Sequence, residues 1–187
     1  MDNAHGESQP EVLIRLLRIA GAALREFVLT LIPALVLVLF MNVFVAEAAL
    51  VEEGPSMQPN LYRGDRVMTE KVSYRFGAPE RGDVVIVGRP APDKALIKRV
   101  VALAGEVVEV RQGHTSVDGE LIAEPWVTYF GGPDYGPARV PADHVFVLGD
   151  NRPNSRDSRE IGPVPLDAVR GHAVFVYWPL AHCGAVP

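Results

Sequence analysis

Residues 27–46 read FVLTLIPALVLVLFMNVFVA, twenty residues without one charge. Thr30 and Asn42 are the clearly polar members. At about 1.5 Å per helical residue the run spans about 30 Å, the hydrocarbon thickness of a bilayer. A core helix of a soluble domain keeps a polar face, and this run has none. A cleavable leader has a shorter apolar region, about 7–15 residues. The stretch therefore predicts a single transmembrane helix, with Pro33 tolerated inside it.

Its flanks differ in charge. Arg15, Arg18 and Arg25 precede it, whereas Glu47 to Leu61 contain no Lys or Arg. That asymmetry predicts residues 1–26 as a cytoplasmic segment and everything after the span as extracytoplasmic, in a single-pass protein of the cell membrane. Residues 11–26 (EVLIRLLRIAGAALRE) suit an amphipathic helix leading into the span. Across all 187 residues, 18 Lys+Arg stand against 23 Asp+Glu, and this acidic balance argues against a nucleic-acid partner. The single cysteine, Cys183, excludes an internal disulfide and any multi-cysteine metal site. No cofactor and no metal are expected.

Beyond the span the pattern changes to alternation and turn punctuation. Strands are expected at 66–71 (RVMTEK), 83–87 (DVVIV), 96–101 (LIKRVV), 107–111 (VVEVR), 145–148 (VFVL) and 173–178 (AVFVYW). RGD at 63–65 and 81–83, and GGP at 131–133, are turn sequences, and Asp118-Gly119 suits a tight hairpin. Short strands without intervening helical patterns predict a mainly β fold. Residues 49–187 would form one antiparallel sheet or partly closed barrel carrying the catalytic function.

Three stretches stand out chemically. Gly54-Pro55-Ser56-Met57-Gln58-Pro59-Asn60-Leu61 places a serine between two prolines, which restrict its backbone. In the strand at 96–101, Leu96, Lys98 and Val100 share one face, so Lys98 projects between aliphatic neighbours. Burial disfavours an ammonium, and a neutral lysine beside a hydroxyl can act as its general base. Alone, such a lysine is more often an edge-strand residue reaching for water. Residues 149–159 (GDNRPNSRDSR) mix acids, arginines and serines with no apolar side chain except Pro153. They suit a bracing ion-pair network better than a calcium loop, because Arg152 takes a ligand position and the turn glycine is missing.

Together the three resemble the type I signal peptidases, membrane-bound Ser/Lys endopeptidases that release secretory signal peptides. The family's serine box stands here as GPSMQPNL at 54–61, its lysine box as KRVVALAGE at 98–106, and its last box as GDNRPNSRDSR at 149–159. RGDVVIV at 81–87 matches a family strand. The resemblance implies Ser56 as nucleophile, Lys98 as general base and Ser155 as the hydroxyl that orients the lysine. It implies Asp150, Arg152, Asp157, Arg159 and Arg99 as a supporting ion-pair network. It further implies an extended substrate, with Leu50, Met57, Leu61, Leu96 and Ile97 lining shallow pockets for small residues at −3 and −1. The partners implied are secretory preproteins and the lipid bilayer. Gly54 stands where some members carry a second oxyanion-hole serine, and Asn60 replaces the usual threonine.

A Ser-His-Asp site is disfavoured, because no G-x-S-x-G elbow is present and His114, His144, His172 and His182 lie in no triad motif. The remaining alternative is a catalytically silent, membrane-anchored β domain that binds other membrane proteins. Ala46-Glu47-Ala48 also has the small-x-small form of a cleavage site, which raises self-cleavage after Ala48, with local geometry expected to protect it.

Overall fold

The apolar run and the residues before it form one helix. In a computed structural model that describes residues 9–40, 46–52, 54–88 and 95–187, α1 runs from Gln9 to Phe40 with Pro33 inside it. Its Arg15–Phe40 portion is long and apolar enough to cross a membrane by length and composition. The Thr30 hydroxyl donates to the carbonyls of Glu26 and Phe27, both at 3.0 Å, so this polar group is satisfied within the helix, as a lipid environment requires. The 11–26 stretch extends the span rather than forming a separate element.

The expected span to Ala46 is too long at its end, because Ala46 opens a strand. Residues 41–45 lie outside the described residues. In chain order the second unit contains β1 (Ala46–Leu50), β2 (Arg66–Glu70), α2 (Ser73–Phe76), β3 (Val84–Val87), β4 (Leu96–Ala102) and β5 (Val107–Arg111). There follow β6 (His114–Val117), β7 (Glu120–Leu121), β8 (Tyr135–Arg139) and β9 (His144–Leu148). Finally come α3 (Ser158–Ile161), β10 (Val164–Pro165), β11 (Val169–Trp178) and β12 (Gly184–Ala185).

The larger sheet has the order β1-β2-β11-β3-β4-β9-β10, with β12 added to β11, and the smaller has β7-β6-β5-β8. All these pairs are antiparallel, and the curled sheet makes a half-barrel, so the mainly β expectation holds. The hairpin at Asp118-Gly119 forms with positive φ at both residues, 52° and 85°.

In β2, exposure alternates: Val67 and Thr69 point inward, Arg66 and Met68 outward. β4 shows no such alternation, and all seven of its residues are buried. The reason is that both of its faces are covered. Ile97 joins Met57, Leu61, Val67, Ile86 and Val176 in one apolar cluster. Val101 packs with Val108, Val110 and Phe146 in a second, and Leu96 and Val100 with Val85, Val87 and Val147 in a third. Lys98 and Arg99 therefore sit in the middle of the most enclosed strand of the sheet.

Candidate active site

Ser56 lies in a single 3-10 turn, Pro55–Met57, that the proline starts. The next turn is closed by backbone bonds from the Gln58 N–H to Pro55 and the Leu61 N–H to Met57, at 3.0 and 2.9 Å. Met57 and Leu61 are pinned in the core below. The Ser56 carbonyl accepts the Asn151 N–H at 2.9 Å, which joins this turn to the segment after β9.

Lys98 Nζ lies 3.1 Å from Ser56 Oγ and donates to the Ile97 carbonyl at 3.0 Å. Its side chain has no solvent exposure, and Ser56 is 6% exposed. Residues 42 positions apart in sequence thus form a hydroxyl–amine pair away from bulk water.

Around this pair the structure brings together three buried guanidinium–carboxylate pairs. Arg99 donates from Nε to Asp150 Oδ1 at 2.9 Å and from Nη2 to Oδ2 at 2.7 Å, with its guanidinium 4.7 Å from the Trp126 ring centre. Arg159 donates from Nε and Nη2 to Asp157 at 2.8 and 2.9 Å. Asp157 also accepts the Gly149 N–H at 3.0 Å and caps α3 through the Arg159 N–H. Arg152 forks onto Glu124 at 3.0 and 2.5 Å and reaches the carbonyls of Gly113 and Gly149. Such pairs are planar and bidentate, so they set relative orientation as well as charge balance.

Glu124 was not among the expected residues. Charge counting within the expected network holds the signal: the side chains of Arg99, Arg152 and Arg159 are at most 2% exposed, while Asp150 and Asp157 supply two anions. Buried charges occur in pairs, so a third carboxylate had to come from elsewhere. Asn60 was also missed as a partner, yet its Nδ2 donates to Asp150 Oδ2 at 2.7 Å and to the Trp126 carbonyl at 2.9 Å.

Ser155 is placed beside the pair but does not hydrogen-bond to Lys98. Its Oγ is buried and has no hydrogen-bond partner among the described residues. Of the five expected pocket residues, Leu50 is exposed and borders shallow concavities with Ala48, Ala49, Arg66 and Tyr177, and with Val51, Glu52, Arg63 and Gly64. Met57, Leu61, Leu96 and Ile97 are core residues, at most 6% exposed. A Cβ added at Gly54 would meet no atom within 4 Å, so there is open space beside the approach to Ser56.

The histidines among the described residues are engaged elsewhere. His182 Nδ1 lies 2.7 Å from Asp65, His144 bonds the Ala142 carbonyl, His114 stacks on Phe130, and His172 sits between Glu70 and Asp83 at 4.0 and 3.8 Å.

Residues 24–178 match the family model described as signal peptidase, peptidase S26. The chain belongs to the signal peptidase family. Relatives agree along most of its length. A signal peptidase I from Leptolyngbya laminosa is 39% identical over 175 residues, covering 88% of this chain and 85% of the relative. A probable signal peptidase I-1 from Synechocystis sp. is 40% identical over 171 residues, covering 86% of each. A signal peptidase I from Bacillus licheniformis is 34% identical over 170 residues, covering 84% and 90%. The signal peptidase match includes the serine turn, β4 and the loop 149–159.

Proposed function

We propose that this chain is a membrane-anchored endopeptidase that removes signal peptides from secretory preproteins with a Ser56/Lys98 dyad. The observation that carries the reading is the 3.1 Å approach of the fully buried Lys98 Nζ to Ser56 Oγ. A silent binding domain has no use for that apposition.

In the reaction, Lys98 Nζ takes the Ser56 proton as Oγ bonds to the scissile carbonyl carbon. The negative charge that develops on the carbonyl oxygen is stabilised by the Ser56 N–H, a donor type worth about 100-fold or more in rate. Collapse breaks the C–N bond, and the Lys98 ammonium returns the proton to the departing amine of the mature chain. Lys98 then takes a proton from water, whose oxygen attacks the acyl ester. The second collapse restores the Ser56 hydroxyl and frees the signal peptide. Asp150, Arg152, Asp157 and Arg159, with Arg99 and Glu124, hold the strand and loop that carry this pair, and Ser155 fills the space beside it. Small side chains at −3 and −1 suit the shallow surface next to Leu50.

The arginines in the first half of α1, ahead of its uncharged run, support a cytoplasmic N-terminus and an extracytoplasmic peptidase domain, in contact with the bilayer through the helix. The chain then divides into a cytoplasmic N-terminal segment, a helical span that ends before β1, and a peptidase domain from β1 onward.

The test is cleavage of a purified preprotein in detergent by the full chain, Ser56→Ala and Lys98→Ala, with the cut site read by mass spectrometry. Cleavage after a small-x-small triplet, lost in both variants, is expected. Undiminished cleavage by either variant would remove that residue from the mechanism.

A further inference from the structure

The geometry points to Asn60 as the residue that positions the nucleophile relative to its base. This inference rests on the Ser56/Lys98 reading. The Asn60 amide donates twice, at 2.7 Å to Asp150 Oδ2 and at 2.9 Å to the Trp126 carbonyl. Both partners are acceptors only, so the amide orientation is decided by chemistry: only the NH₂ group can face them.

The consequence follows from where the bonds land. The short segment from Ser56 to Asn60 is tied at both ends to one dipeptide. Its first end is held by the Asn151 N–H to the Ser56 carbonyl, at 2.9 Å, and its other end by Asn60 on Asp150. Asp150 is also the anchor for Arg99, the residue next to Lys98, through the two-bond fork. Asp150-Asn151 is thus a common reference for nucleophile and base, and Asn60 is the side chain that attaches the nucleophile's turn to it.

A threonine at this position has a reach one bond shorter and one hydroxyl proton to share between these acceptors, where the Asn60 amide has one for each. Relative to a threonine, Asn60 brings a second proton to this site. A misplacement of about 1 Å costs on the order of 100-fold in rate, so the loss of one tether need only loosen the pair slightly to be measurable.

The experiment uses the full chain in detergent, with Asn60→Leu, Asn60→Asp and Ser56→Ala assayed on one preprotein. Asn60→Leu removes both donors at similar volume. Its kcat is expected to fall about tenfold with KM within about twofold, the pattern of a lost transition-state alignment. Asn60→Asp sets a second carboxylate against Asp150, and its rate relative to wild type should rise as pH falls and the added carboxyl regains a proton to donate. Expressed per folded enzyme, with urea unfolding run at each pH, that ratio reports the alignment of the pair and not the stability of the fold. Wild-type kcat in either folded variant, a flat ratio across pH, or failure of both variants to fold would each overturn the assignment. Full activity in Ser56→Ala would instead overturn the underlying dyad, whatever the Asn60 variants do.

Discussion

Arg99 and Asp150 meet as a closed two-bond fork, Nε to Oδ1 at 2.9 Å and Nη2 to Oδ2 at 2.7 Å, with side chains 2% and 0% exposed. Removing one partner of such a buried pair costs about 3–5 kcal/mol, because the other is left charged and dry. Asp150→Ala should lower unfolding stability by about that amount, read from urea denaturation. Arg99→Lys keeps the charge but cannot fork. It should cost less stability than Asp150→Ala, yet still lower kcat, since Arg99 adjoins Lys98. Equal stability and kcat in wild type and Arg99→Lys would show that the fork does not orient the site.

Gly149 has no room for a side chain. A Cβ there would fall 2.2 Å from Ser155 Oγ and 2.5 Å from the Ser56 carbonyl oxygen. Gly149→Ala should therefore displace the nucleophile's turn and reduce kcat by on the order of 100-fold. Adding Ser155→Gly relieves the first collision and not the second, so it should restore only part of the loss. Full recovery would place the whole effect on Ser155.

Gly54 is the opposite case, with open space where its side chain would point. Gly54→Ser should give a higher kcat than Gly54→Ala, because only the serine adds a hydroxyl able to donate to the oxyanion. Comparing the two variants cancels the shared backbone effect. Equal rates would mean that a hydroxyl at this position does not reach the reacting oxygen.

The Ala48–Ala49 bond follows a small-x-small triplet, but it lies inside β1, paired with β2 through Ala48–Met68 and Ala49–Val67. A strand in a ladder cannot enter a protease cleft without leaving its partner. A free peptide of residues 40–52 should be cut after Ala48 by the enzyme, while the same bond in the folded chain stays intact by N-terminal sequencing. Comparable cleavage of both would show that the pairing gives no protection.

Glu70 provides a pH-dependent contribution. Burial opposes its charged form, but hydrogen bonds from Ser73 and Val72 and the nearby His172 outweigh this and hold its pKa below the ordinary value. A depressed carboxyl stabilises the fold fully above its unfolded pKa of about 4.3, and that contribution disappears as pH falls through the lower folded value. The Tm of wild type should thus drop more steeply on acidification than that of Glu70→Gln. Parallel curves would remove Glu70 from the acid response.

How much was legible beforehand differs from element to element. The six expected strands all formed, with ends shifted by a few residues, because short runs of β-branched and apolar residues bounded by turn residues are a local signal. β1 was not expected, and only its first residue, Ala46, fell within the expected span; its alanines carry no strand signal of their own and are made a strand by pairing with β2. Met57, Leu61, Leu96 and Ile97 were expected to line pockets, and the curled sheet buried them. The sequence alone determined the apolar helix, the β-rich class and the proline-framed serine segment, because each depends on residue type and short spacing. Only the tertiary structure decided the partners. Ser56 meets Lys98 across 42 positions, Arg152 finds Glu124 across 28, and Asn60 reaches Asp150 across 90. Those distances are set by strand order and packing, and no local pattern in the chain records which of several buried cations will close on which anion.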